Sequence, residues 1–492
     1  MRTWLFQLSS DPGISLQRRL REMMVSAILD GHLPAGEPVP SCRSLARQLG
    51  VARNTVVLAY QQLVDQGYLV ARERSGYFVD RRILDGQVST TLRAPAAGTT
   101  GLDWQRRLRT MPSRLPHTAK PTDWQRFPYP FIYGQLDPAL FPINDWRECA
   151  RQALSVDAIR DWSMDRIDAD DPLLVEQIRT RLLPRRGVWA APGEILITLG
   201  TQQALYLLAA LLVSHDTVVG LENPGYVDAR NIFALHSARL LALPVDAEGL
   251  CIDARLGECE LLYTTPSHQF PTTVTLSLAR RRALLREAGR HDQVIIEDDY
   301  ESEANFVGAP TPALKSLDRE GRVIYLGSLS KTLAPGLRLG YLVAPAPLIH
   351  EARAIRRLML RHPPSNNQRT VALFLALGHH DTLVHRLARI YRRRWQLLGE
   401  ALAYHLPDSS RSPTFGGTAF WVAGPGRLDA GELHRRAAEQ GILIEPGNTT
   451  FFGPSPPGCF FRLGFSAIAT ERIEPGVARL AALIKNLCDS PR

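Results

Sequence analysis

Nothing in these 492 residues resembles a disulfide framework, a membrane span or a metal-binding cluster. The six cysteines, Cys42, Cys149, Cys251, Cys259, Cys459 and Cys488, stand far apart without a CxxC pair. Such scattering reads as reduced thiols in a cytosolic protein. The longest apolar stretch, Ala204 to Val213, is about half the length a bilayer span requires and reads as a buried helix. The opening MRTWLFQLSS lacks a cationic region followed by an apolar run, so no secretory signal is expected. The expectation is a soluble, cytoplasmic protein. The net charge of +9 is spread along the chain and on its own says little about a polyanionic partner. With 45% hydrophobic and 22% charged residues, wholesale disorder is excluded. The length exceeds what one hydrophobic core holds, so at least two domains are expected.

Three regions follow along the chain. In residues 1–80, Leu16, Leu20, Met23, Met24, Ala27 and Ile28 recur at helical spacing. Gly31, Pro34 and Gly36 stop that helix. Ser41 can cap a second, short helix carrying Leu45, Ala46 and Leu49, which Gly50 ends. A third helix is predicted from about Ala52 to Gln66, with Val56, Val57, Tyr60, Leu63 and Val64 inward. Tyr68 to Val70 and Gly76 to Val79 read as two short strands around a basic turn.

Residues 81–126 carry four prolines, little periodicity and nine Lys/Arg against three Asp/Glu, a surplus of six. They read as a basic linker with one short helix near Trp104 to Arg109, its charge either solvated or brushing DNA phosphates. Residues 127–492 alternate apolar strand-like runs with helical patterns. The runs are Glu194 to Thr198, Thr217 to Leu221, Leu261 to Thr264, Val294 to Glu297 and Val323 to Leu326. This is the signature of a largely parallel sheet covered on both faces, with a smaller C-terminal domain beside it.

Two short helices joined at Gly50 and followed by a β-wing are what a winged helix-turn-helix needs, its second helix entering the major groove by the N-terminal turn. There, Arg53 and Asn54 are types that bond base edges bidentately, and Thr55 suits base or phosphate. Arg43, Arg72 and Arg74 are placed for phosphates, which carry affinity more than sequence information. The stretch Val39 to Val56, with Ala59 to Leu63 and Gly67 to Leu69, resembles the winged helix of the GntR family of regulators. Ala52 departs from it, since the family usually has a capping serine there.

The C-terminal region holds a different chemistry. Lys331 follows a strand within Gly327 to Tyr341, where a lysine in a small-residue turn can form a Schiff base with an aldehyde cofactor. Ser328, Ser330 and the guanidinium fork of Arg338 can hold a phosphate. Gly200, Thr201 and Gln202 open a helix after a strand, a turn whose N–H groups and dipole favour phosphate. Glu297-Asp298-Asp299 ends a buried strand, where a carboxylate can pair with a pyridine nitrogen. Three adjacent acids also suit a metal, but no His or Cys partner accompanies them.

In this order the motifs resemble fold-type I pyridoxal 5'-phosphate (PLP) enzymes of the aminotransferase class, over roughly residues 127–485. The resemblance implies Lys331 as the Schiff-base lysine, Asp298 as the pyridine-nitrogen partner and Tyr300 on the ring hydroxyl. It implies Tyr226 stacked on the ring, with His268 and Gln269 beside it. Gly200, Thr201, Gln202, Ser328, Ser330 and Arg338 would cradle the phosphate, and Arg462 would hold an effector carboxylate. Both halves together look like the MocR/GabR subfamily of GntR-type regulators. The chain is therefore expected to be a winged helix fused to an aminotransferase-like domain, homodimeric, binding operator DNA and PLP. It would sense an amine or amino acid by exchange at Lys331. The alternative is a working aminotransferase with an appended winged helix, and residual half-transamination stays open. Some relatives carry Arg where this chain has Asp228, which points to a different effector, one bearing an amine.

Overall fold

The computed structural model describes residues 8, 13–84, 102–118, 120–305, 311–329, 331–412 and 416–489. The chain divides into two compact units, residues 1–108 and 109–492, the division falling inside the stretch read as a linker.

In the first unit, α1 (Leu16–Leu29) starts at Ser15, whose hydroxyl accepts from the Arg18 amide. Next, α2 (Cys42–Leu49) starts at Ser41 in the same way. The third helix, α3 (Arg53–Asp65), has Ala52 at its N-cap with no side-chain bond to the first turn. The hairpin β1 (Leu69–Arg72) and β2 (Gly76–Val79) pairs Leu69 with Val79 and Arg72 with Gly76. Leu20, Met24, Ile28, Leu45, Val56, Tyr60 and Leu63 close the core. Val57 and Val64, expected inward, are only half-buried, while Ala59 is fully buried. At 3.6 residues per turn, positions 56, 59, 60 and 63 share one face, and adjacent valines cannot both point to its centre. The bare cap is correctable. Ala52→Ser is expected to stabilise this unit by about 1 kcal/mol, raising its thermal transition within the full chain.

The second unit is built on an eight-stranded sheet. Its strands are β3 (Ile195–Thr198), β4 (Val218–Asn223), β5 (Arg239–Asp246), β6 (Gly249–Leu250), β7 (Leu261–Thr264), β8 (Val294–Asp299), β9 (Val323–Ser328) and β10 (Gly340–Val343). Across the sheet they lie β3-β10-β9-β8-β7-β4-β5-β6. The neighbours β9/β8, β8/β7, β7/β4 and β4/β5 pair in parallel, whereas β10 runs antiparallel to β9 and β3. Successive residues point to opposite faces and both faces are covered. Leu196, Tyr263, Ile296 and Ile324 pack on one side; Ile195, Ile197, Tyr325 and Tyr341 pack on the other. The five strands expected from sequence are present, whereas β5, β6 and β10 had no separate signal. β10 sits inside the lysine motif, and β5 is interrupted by Pro244.

A smaller sheet follows, β11 (Ser410–Arg411), β12 (Ala419–Ala423), β13 (Glu445–Pro446) and β14 (Phe460–Gly464), in the order β11-β12-β14-β13. Its register sets Arg462 opposite both Glu445 and Trp421. All six cysteines are free thiols. Among the described residues, no helix is long and apolar enough to cross a membrane.

Candidate functional site

In the winged helix, Arg53 and Asn54 are exposed on the first turn of α3, and Thr55 behind them is half-buried. Arg43 is exposed on α2, and Arg72 lies over the Phe78 ring, 4.2 Å from its centre. Arg74 sits in the hairpin turn at φ 60°. The exposed side chains can meet a polyanion without losing a packing role. Arg72 is partly committed to Phe78.

In the second unit, the C-terminal ends of the parallel strands open onto a cavity of about 250 Å³, where ligands bind in open α/β sheets. It is lined by Lys331, Asp298, Tyr300, Tyr226, Thr201 and Asp228, together with Tyr133, Tyr263, Phe270, Lys120 and Glu445. Lys331 follows β9, and its Nζ lies 4.4 Å from the centre of the Tyr133 ring. Gly134 makes room for that amine. Its φ is +71°, and a Cβ there would stand 2.9 Å from Lys331 Nζ. Burial, and then the Lys120 cation, lower the Lys331 pKa to about 8.

Asp298 is near the end of β8 and 3% exposed. Its Oδ2 accepts from the Tyr263 hydroxyl at 3.0 Å, and its buried Oδ1 has no hydrogen-bond partner among the described residues. Burial pushes its carboxyl up to about 7. Its neighbour Asp299 is committed elsewhere, accepting from Arg186 and Tyr325, each at 2.8 Å. Beyond β3, Gly200 (φ +81°) caps the helix α4 (Thr201–Leu212). The Arg338 guanidinium lies against this turn: Nη2 donates to Leu199 O at 2.9 Å, and a Cβ on Gly200 would be 3.2 Å from it. Arg338 is exposed, leaving the rest of its fork available.

The cavity thus gathers Lys331, Asp298, Tyr300, Tyr226 and Thr201 from distant parts of the sequence. Other expected residues stand differently. Tyr300 donates its hydroxyl to His268 O at 2.6 Å, so that proton is already committed. The His268 imidazole does not line the cavity; it is buried beside Gly416 and Gly417. Gln269 braces its own loop, donating to Glu222, Pro224 O and Phe270 O. Gln202 donates to Asp228 Oδ2 at 2.8 Å, which also accepts from Tyr226 at 3.2 Å. Ser328 is half-buried at the end of β9, and Ser330 lies outside the described residues. Arg462 is 1% exposed and lies behind the cavity wall, 4.0 Å from the Tyr133 ring centre and 4.6 Å from that of Phe270. None of its three guanidinium nitrogens has a hydrogen-bond partner among the described residues.

Sequence reasoning missed Tyr263, Tyr133, Lys120 and Glu445. Tyr263 stands in a recognised strand, and its side of the sheet follows from alternation, but nothing local marks it as the Asp298 partner. Lys120 and Glu445 meet only through the packing of the small sheet.

Fold and site together define a winged helix joined to a domain of the aminotransferase type. Residues 16–79 match the bacterial regulatory proteins of the gntR family, and residues 171–480 match aminotransferase class I and II. The HTH-type transcriptional regulator TauR of Rhodobacter capsulatus is 45% identical, over 96% of this chain and 97% of that protein. The probable rhizopine catabolism regulatory protein MocR of Rhizobium meliloti is 31% identical, over 96% of this chain and 94% of that one. Among solved structures, LysN, an α-aminoadipate aminotransferase of Thermus thermophilus complexed with N-(5'-phosphopyridoxyl)-L-leucine, is 29% identical. It superposes with a TM-score of 0.69, covering 79% of this chain and 99% of that one. The chain belongs to the MocR/GabR subfamily of GntR-type transcription regulators.

Proposed function

We propose that this regulator binds operator DNA as a homodimer and senses a primary amine or amino acid through PLP held at Lys331. The carrying observation is the pairing of two groups on one cavity: the Lys331 amine with its pKa lowered to about 8, and the buried Asp298 with one oxygen unpartnered among the described residues. The residues present fit the cofactor. A pyridinium N–H supplies the donor that Asp298 Oδ1 lacks, and the Gly200 turn with Arg338 suits a phosphate dianion. Bound there, PLP supplies an aldehyde that condenses reversibly with primary amines. Lys331, partly neutral near pH 8, provides the competing amine that an effector must displace. Asp298, held by Tyr263, would face the ring nitrogen and favour its protonated form. Tyr226, tied to Asp228, and Phe270 would hold the ring and exclude water. Arg53, Asn54 and Thr55 would read bases, while Arg43, Arg72 and Arg74 would meet phosphates.

The same Lys331–Asp298–Tyr263 set favours a second reading, a working aminotransferase, because nothing needed to move a proton is missing. The two are separated by titrating the PLP-loaded protein with amines and amino acids. Visible absorption and oxo-acid release are followed together, with a second keto acid present. A reversible band shift with no more than one oxo acid per site is expected. Sustained oxo-acid production would make the chain an enzyme first.

A further inference from the structure

Among the described residues, Lys331 is the only one that lines two cavities. The second holds about 40 Å³, room for an ammonium group, since a single water needs about 10–15 Å³. Leu387 and Tyr391 of α5 (His379–His405) stand on one wall, and Glu301 and Glu303, in the turn after β8, stand on another. Glu303 lies 3.2 Å from the buried His380 imidazole. Glu301 is 7% exposed. Thr418, just before β12, donates to its Oε1, while its buried Oε2 has no hydrogen-bond partner among the described residues. That oxygen and His268 Nδ1 flank Gly417, 3.5 and 3.6 Å from where a Cβ would stand. Burial pushes the imidazole towards its neutral form. Around the Lys331 amine, burial, Lys120 and Arg462 oppose a charge, whereas Glu301 and, less strongly, Asp298 favour it. Asp298 already accepts from Tyr263. A buried carboxylate with a spare oxygen beside a lysine is satisfied by that lysine's ammonium.

We propose that Glu301 receives Lys331 when an amine displaces it, the freed ammonium turning from the cofactor cavity into the smaller one and pairing with Oε2. This rests on the amine-sensing reading above. Exchange replaces the carbon–nitrogen double bond to Lys331 with one to the incoming nitrogen. An incoming ammonium gives up two protons, Lys331 takes up two, and nothing is oxidised or reduced. The charge that enters on the effector therefore ends on Lys331, at a buried point that needs a counter-ion. Glu301 supplies it, and through Thr418 it ties the turn after β8 to the small sheet. The device serves any displacing amine, because the group it binds belongs to the protein.

The test compares pyridoxamine 5'-phosphate, beside which Lys331 stays free, with PLP, which bonds it, by fluorescence titration of the full-length protein. Against PLP, Glu301→Gln should lose pyridoxamine 5'-phosphate affinity by about tenfold or more relative to the parent, as for a charge-assisted bond. Glu301→Asp should recover part of the loss. A second readout needs no cofactor: Lys331 of the cofactor-free protein is acetylated across a pH series and followed by peptide mass spectrometry. Removing a nearby anion lowers an amine's pKa, so the midpoint, near 8 in the parent, should fall in Glu301→Gln. Glu301→Met serves the same comparisons if the amide variant does not fold. A folded variant that keeps the parental affinity ratio, or the parental midpoint, overturns the proposal while amine sensing stands. A parent that develops no visible band with PLP overturns the amine-sensing reading, and the proposal with it.

Discussion

Lys331→Ala is expected to leave the protein folded but without the visible band that PLP produces on the parent chain. No other lysine can replace it with equal ease: the Lys120 amine is held by Glu445 and Tyr133 O, whereas the Lys331 amine lies over the Tyr133 ring. A ligand present at a hundred times its dissociation constant stabilises a fold by about 2.7 kcal/mol. The parent should show a cofactor-dependent rise in melting temperature of that order, and Lys331→Ala less than half of it. The pH dependence has a definite sign. The neutral amine is the nucleophile, and burial lowers its pKa from 10.5 to about 8. The rate at which the band develops on cofactor-free protein should therefore climb through pH 8 and level off above it. A climb that continues towards pH 10 would mean that Lys331 is not held in this environment.

The second large effect belongs to Asp298. Removing one partner of a buried ion pair costs about 3–5 kcal/mol, so Asp298→Ala should weaken PLP binding by at least about a hundredfold in a fluorescence titration. In cofactor-free protein the same residue should act in the opposite direction. Its carboxyl titrates near 3.8 when unfolded and near 7 when buried beside Tyr263. An acid with a raised pKa contributes stability that is complete below the unfolded value and lost as pH rises through the folded one. Cofactor-free Asp298→Asn should thus melt above the parent at pH 8 and level with it near pH 4. A pH-independent difference would place the carboxylate in a solvated site.

Much of the fold was legible because its signals are local. Five continuous apolar runs marked five of the sheet's strands, since burial on both faces favours apolar residues at successive positions and leaves polar ones to the strand ends. Ser41 and Gly50 marked helix ends for the hydrogen-bonding and backbone reasons that create caps. In the site, Lys331, Asp298, Tyr226 and Thr201 could be read as a set because each stands at or just beyond the end of a strand, and parallel strands bring their C-terminal ends to one edge. Hydrogen-bond commitments were not legible in this way. That Tyr300 gives its proton to His268 O, that Gln269 braces Glu222, and that Asp228 ties Gln202 to Tyr226 depend on loop paths with no periodicity.

The sequence by itself determined the two architectures, the order of the motifs and the chemical types at the strand ends. Only the tertiary structure decided which charged groups share a space. Glu445 faces Arg462 through the register of the small sheet, and Lys120 reaches Glu445 from a distant part of the chain. Residues separated by hundreds of positions leave no mark in each other's neighbourhood. Their meeting follows from how two sheets bury their faces, and the charge balance of the cavity follows from that meeting.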